Sequence, residues 1–263
     1  MPGRAVVLAA VCLGAAIWIA LDRGSDDGCA GLPSGAACTR VLFIGDSFTY
    51  VNNLPGVFAS LSHSGGEHVA TGMLASGGAT LADQVSSAAT ATTISKTRWT
   101  VVVMQEQSEI PASVTLRQSE MYPAADRLVA MVRADGAIPM LFLTWGHKDG
   151  WPQYDLPTYA SMQIALDGGY HAVADSLDVP VAPVGDAWSS VSVQDPQIGL
   201  WQSDGVHPTS AGTYLAACVF YAAIFRRSPI GLKYHDGLPP AQATELQQAA
   251  EIETATYGAE WHL

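Results

Sequence analysis

The chain has 263 residues, 24 acidic against 12 basic side chains, and a formal net charge of −12 with histidine neutral. Apolar residues make up 49% and charged ones 14%, which excludes a disordered acidic tail, and the length supports a sizeable core in one large or two small domains. So few cations exclude a phosphate-binding surface for nucleic acid and a polybasic membrane-surface protein, while 25 Gly and 15 Pro spread along the chain exclude collagen and low-complexity classes.

Arg4 and the amino terminus precede an uncharged apolar run over residues 5–21. That is the layout of a secretory signal, marginally short for a membrane span of about 20 residues. Gly28-Cys29-Ala30 is the nearest small-residue cleavage pattern and it is weak, so a cleaved peptide and an uncleaved signal anchor both fit. In either case the amine stays inside and the remainder is exported, secreted or membrane-anchored. Residues 1–38 read as this signal plus a linker, and residues 39–263 as the folded domain. Cys12 sits in the signal without a convincing lipobox. Cys29 and Cys38 bracket a Gly/Pro/Ala loop; export favours a disulfide between them, worth about 2.5–3 kcal/mol by loop entropy, with two free thiols in a linker as the alternative. No second pair of soft ligands lies near them for zinc, and Cys218 reads as a small core residue.

The domain opens with Val41-Leu42-Phe43-Ile44, a continuous apolar run ending at Gly45 and the mark of a buried parallel strand. The pattern then predicts a helix over 54–61, a strand over 68–74 and a third strand over 99–104. A long helix over 114–134, a strand over 138–144, a helix over 157–177 and a short, Pro-interrupted strand over 179–184 follow. A strong helix over 208–225, with Pro208 in its first turn, and a last helix over 240–253 complete the chain. Strands separated by such helices predict a parallel sheet covered on both faces, a single α/β/α domain. No internal repeat and no second-domain boundary is visible.

In such sheets the functional site lies at the carboxyl ends of the strands. The segments expected there are Gly45-Asp46-Ser47-Phe48, Ser76-Gly77-Gly78-Ala79, Gln105-Glu106-Gln107-Ser108, Trp145-Gly146-His147 and Asp204-Gly205-Val206-His207-Pro208. A serine at a strand-to-helix turn presents a hydroxyl beside its own N–H. A histidine on another loop can act as its base, and a carboxylate three residues earlier can fix that histidine's tautomer. Glycine-rich and amide-bearing loops supply oxyanion donors. The combination points to acyl transfer from an ester. Asp46 reads as a brace for the turn, and Glu106 as either a second acid or a buried salt-bridge partner.

GDSF after the first strand, with DGVHP near the end, resembles the SGNH hydrolases, also called GDSL esterases and lipases. The resemblance spans residues 41–225 and implies a flavodoxin-like sheet and a cofactor-free, metal-free serine esterase. It assigns the nucleophile to Ser47, the base to His207 and its partner to Asp204. Oxyanion donors would be the backbone N–H of Ser47 and of Gly78, with Gly77 the competing choice. The family's third block, Gly-x-Asn-Asp, is absent; QEQS stands there. Counting from the strand end puts Gln107 at the Asn position, with Gln105 the alternative, and a Gln amide donates as an Asn amide does. The α/β-hydrolase scheme needs G-x-S-x-G and a separated Asp and His, and the chain has neither.

Trp145, Trp151, Trp188 and Trp201 are expected in loops near the site, where they fit sugar stacking or core and rim positions equally. The expected substrate is therefore a carboxylic ester, with acetyl on carbohydrate favoured and short-chain lipid left open. A non-catalytic glycan-binding module and an O-acetyltransferase on the same fold stand as alternatives.

Overall fold

A computed structural model of the protein describes residues 28–33 and 37–263. The expected signal segment, with Cys12, lies outside them. Strands β1 (Thr39–Gly45), β2 (Val69–Ala75), β3 (Val101–Met104), β4 (Ile138–Phe142) and β5 (Val181–Ala182) pair in parallel as one sheet, in the order β2-β1-β3-β4-β5. Helices α1 (Ser47–Tyr50), α2 (Leu54–Ser64), α3 (Leu81–Ser86), α4 (Ala88–Lys96), α5 (Val114–Leu116), α6 (Tyr122–Ala134), α7 (Tyr159–Leu177), α8 (Val184–Gln194), α9 (Ser210–Phe225) and α10 (Pro240–Glu251) connect and cover it. The domain is a single three-layer α/β/α sandwich.

Period-two alternation divides the core into two halves. Val41 and Phe43 of β1, Val101 and Val103 of β3, and Phe142 of β4 pack with α2, α8, α9 and α10. Leu42, Ile44, Val102, Met104 and Leu141 pack on the other side with α3, α4, α6 and α7. Both faces are buried, which is why these strands read as unbroken apolar runs. Because β1 has β2 on one side and β3 on the other, a crevice opens where the chain order reverses. The segments after β1 and β3 meet there.

Several expected elements change. The strand expected over 179–184 shrinks to Val181–Ala182 because Val184 already opens α8. The Gly185 N–H, in the first turn of α8, donates to the Leu143 carbonyl at 2.9 Å, and a Cβ at Gly185 would strike the Thr144 backbone. The expected strand over 138–144 likewise ends at Phe142. The helix expected over 114–134 is interrupted by a π turn, Arg117–Met121, just before Pro123, which has no N–H to continue the ladder. The helix expected from Pro208 begins at Ser210; Thr209 caps it through Gly212 N–H, and Pro208 stays outside. The last helix closes at Glu251 and passes into a second π turn, Ile252–Thr256. Helices α1, α3, α4 and α8 come in addition to the expected elements. The structure joins Cys29 to Cys38, with Cα atoms 5.6 Å apart, and buries Cys218.

Away from the sheet edge, Asp167, Asp186, Glu253 and Glu260 line a surface cavity of about 320 Å³. Burial, reinforced by Asp167 and Glu253, pushes the Asp186 carboxyl from 3.8 up to about 8. A raised folded-state value favours the fold at low pH, and that advantage fades as pH climbs from the ordinary carboxylate range through about 8. Asp186→Asn should therefore leave Tm nearly unchanged at pH 4 and raise it by roughly 3 °C or more at pH 8.5. Thermal melts at the two pH values check this; equal shifts at both would show that Asp186 does not carry the effect.

Candidate active site

Gly45 ends β1 and Asp46 caps α1, its Oδ1 accepting the Phe48 N–H at 2.9 Å. Ser47 is thus the first residue of a helical turn, where a backbone N–H has no intrahelical acceptor. Gln105, just past β3, lies fully buried behind this turn. Its Oε1 accepts from Asp46 N (2.9 Å) and Thr49 Oγ1 (2.8 Å); its Nε2 donates to Asp46 Oδ1 (2.7 Å) and the Glu106 carbonyl (2.8 Å). A Cβ at Gly45 would run into Gln105 Oε1 and Thr49 Oγ1, so glycine lets the two segments touch. Burial pushes the Asp46 carboxyl up to about 6, opposed by its bonds to Phe48 and Gln105. Asp46 braces the turn, as its position suggested.

The His207 loop is built by a different device. Gly205 takes φ +70°, and Asp204 Oδ1 accepts the N–H groups of Val206 (2.9 Å) and His207 (3.0 Å). Gly205 O accepts Lys148 N–H at 2.8 Å, and Val206 O accepts Trp145 Nε1–H at 3.0 Å, tying the loop to the segment after β4. Asn52 Nδ2 donates to Pro208 O at 2.8 Å from the nucleophile side.

These two loops bring three expected residues together. Ser47 Oγ lies 3.0 Å from His207 Nε2, and His207 Nδ1 lies 2.7 Å from Asp204 Oδ2. The hydrogen bond to His207, with the backbone N–H of Val206, holds the Asp204 carboxyl down at about 2, so it is ionised at neutral pH. With Nδ1–H directed at Asp204, Nε2 is free to accept the serine proton. His207 and Asp204 side chains are 33% and 45% exposed, so the pair opens to solvent. His147 is half-buried nearby. Burial, and then the neighbouring His207, push its imidazole down, which keeps a second positive charge away from His207.

The aromatic residues underpin the site. Phe48 stacks on Trp145 (4.3 Å, 7°) and Trp145 on Trp188 (4.0 Å, 9°), while the Phe48 ring meets His207 edgewise at 6.1 Å. Trp145 and Trp188 are fully buried, which removes them as sugar-stacking platforms. Trp201 is partly buried against the same cluster, with its Nε1–H on Gly146 O at 3.1 Å, and Trp151 stacks on Tyr154.

The oxyanion candidates lie in the segments after β2 and β3, the two strands that flank β1. After β2, Ala79 N–H closes a turn on Ser76 O at 3.1 Å; Gly78 takes φ +68°, and the Gly77 and Gly78 N–H groups take no part in that closure. Strand β3 ends at Met104, so Gln105 stands in the turn that follows it. Both of its amide hydrogens are already donated, so Gln105 has nothing left to give an oxyanion. Gln107 differs. Its Oε1 accepts Glu109 N–H (2.9 Å) and Ile110 N–H (3.2 Å), while Nε2 makes a long contact to Ser108 Oγ at 3.4 Å and interacts with the Glu109 carboxylate. Glu106 is buried, and the expected salt bridge gives way to backbone bonds: Oε1 accepts Gln107 N–H (2.8 Å) and Leu81 N–H (3.1 Å). Sequence reasoning missed the roles of Gln105 and Glu106; the one available signal was three polar residues straight after a buried strand.

No protein-family model matches the chain, and no curated protein matches it. Solved structures do. A DUF4886 family protein from Bacteroides uniformis superposes with a TM-score of 0.74 at 18% identity, over 84% of this chain and 96% of that one. A protein from Slackia heliotrinireducens proposed to be an SGNH hydrolase gives 0.61 at 26% identity, over 72% of this chain and 100% of that one. An acetyl xylan esterase gives 0.58 at 12% identity, over 70% of this chain and 99% of that one. The chain thus shares its fold with SGNH-type proteins and with esterases.

Proposed function

We propose that the protein is a serine esterase that removes short acyl groups, acetyl above all, from carbohydrate. The observation that carries this is the Ser47–His207–Asp204 relay, at 3.0 and 2.7 Å, on the carboxyl edge of the sheet. His207 Nε2 takes the proton as Ser47 Oγ attacks the ester carbonyl, and Asp204 steadies the imidazolium. Ser47 N–H, Gly78 N–H and Gln107 Nε2 would hold the oxyanion. His207 then protonates the leaving alcohol, and water, deprotonated by the same nitrogen, releases the acid. This needs no cofactor. The disulfide fits an exported chain.

Carbohydrate is favoured by the openness of the site and by a neighbouring groove. The groove is lined by Tyr50, Asn53, Pro55, Thr71, Gly72 and Met73, a mix of hydroxyl, amide and apolar surface. Tyr50 sits one turn after Ser47, with its hydroxyl against Gly77, so the groove adjoins the oxyanion loop. Purified protein should hydrolyse 4-nitrophenyl acetate and acetylated oligosaccharides, with kcat/KM falling about tenfold or more by the octanoate ester, as a site of fixed size discriminates by acyl length. Faster turnover of long acyl chains would replace carbohydrate by lipid. Acetyl transfer to added sugar exceeding hydrolysis would make it a transferase.

A further inference from the structure

The Glu106 carboxyl lies where the two outlying oxyanion segments approach each other. It is 1% exposed. One oxygen, Oε1, takes the N–H of Leu81 at 3.1 Å and the N–H of Gln107 at 2.8 Å. Leu81 opens α3 three residues after Gly78, and the intervening Thr80 is fixed by a capping box with Asp83. Between Gly78 and Leu81 the chain therefore has little freedom to drift. Gln107 carries the side-chain amide proposed as the third oxyanion donor. We propose that Glu106 is a positioning residue, an acceptor that clasps the Gly78 loop and the Gln107 loop at the spacing an ester oxyanion requires. The proposal rests on the esterase reading and deepens it.

Two further features fit a clasp and do not fit an acid–base role. The carboxyl is walled off from solvent, and its second oxygen, Oε2, has no partner among the described residues. Only one acceptor oxygen is in use, which a glutamine side chain also possesses. Burial pushes the carboxyl up to about 7, with Asp46 and Glu120 adding to the rise and Leu81 and Gln107 N–H opposing it; buried Tyr170 faces the same group. A proton on Oε2 leaves both Oε1 bonds intact, so the clasp survives in either state.

The test compares wild type, Glu106→Gln, Glu106→Ala and Glu106→Met with 4-nitrophenyl acetate, alongside amide hydrogen exchange at Leu81 and Gln107. Glu106→Gln should keep kcat within about threefold of wild type. Glu106→Ala, or Glu106→Met if the cavity prevents folding, should lower kcat roughly 10–100-fold with KM changed less than about threefold, below the loss typical of an oxyanion donor itself. Exchange at the Leu81 and Gln107 amides should quicken in the same variants and not in Glu106→Gln. Wild-type kcat in the Met variant, or equal losses in Gln and Met, would overturn the proposal. Slow exchange at both amides in the Met variant would remove the clasp itself. Absence of Ser47-dependent turnover in the wild type would instead sink the esterase reading, so the two failures are distinct.

Discussion

Ser47→Ala should fold as the wild type does and lose ester hydrolysis by on the order of 10⁴–10⁶-fold, the range seen when a triad nucleophile is removed. The hydroxyl faces His207 Nε2 at 3.0 Å. The turn itself is held by other atoms: Asp46 Oδ1 on Phe48 N–H, and Gln105 on Asp46 and Thr49. Deleting one partly exposed hydroxyl therefore leaves the fold alone, with Tm within about 2 °C. The backbone N–H groups at position 47 and at Gly78 would remain, so binding of substrate should change little and the loss should fall on kcat. Steady-state kinetics with a chromogenic acetate check this. Activity within about tenfold of wild type would mean that another group attacks.

Gln107→Ala and Gln105→Ala should separate cleanly. An oxyanion donor acts as charge develops, so Gln107→Ala should lower kcat roughly 10²–10³-fold with little change in KM. It also removes the side-chain acceptor of Glu109 N–H and one of the two acceptors of Ile110 N–H, whose bond to the Gln107 carbonyl remains, a loss of about 1 kcal/mol in stability. Gln105→Ala leaves the buried Asp46 N–H and Thr49 hydroxyl without their acceptor and takes from Asp46 Oδ1 one of its two donors, Phe48 N–H remaining. That should cost about 2–4 kcal/mol and lower Tm by roughly 5–10 °C, with activity falling because Ser47 is no longer held. Kinetics and melts on both variants decide the matter. Near wild-type kcat in Gln107→Ala would leave two backbone donors as the whole hole.

The parts of this protein that could be read from its sequence are those in which residue type and local pattern carry the physics. Buried parallel strands need unbroken apolar runs, so β1 and β3 were visible; a serine after Gly-Asp, and Asp204 three residues before His207, announce chemistry by type and spacing. Helix α4 was hidden because AATATTISK has small residues and no strong apolar face. Helix α8 was hidden because Val184 continued the apolar run of β5. The buried fates of Trp145 and Trp188 follow from stacking across three elements, which no local pattern encodes. Gln105, Glu106 and Gln107 are three similar side chains with different tasks. What separates them is which hydrogen bonds are already taken, and that is set by the α1 turn, by the start of α3 and by the chain after Gln107 itself.

In the proposed reaction Ser47 is the nucleophile and His207 activates it. Incubating wild type, Ser47→Ala and His207→Ala with a fluorophosphonate, followed by intact mass and peptide mapping, tests it most directly. One adduct on the peptide containing Ser47 in the wild type, none in Ser47→Ala and greatly slowed labelling in His207→Ala is the predicted result. An adduct on a different serine, or equal labelling of the Ser47→Ala protein, would contradict it.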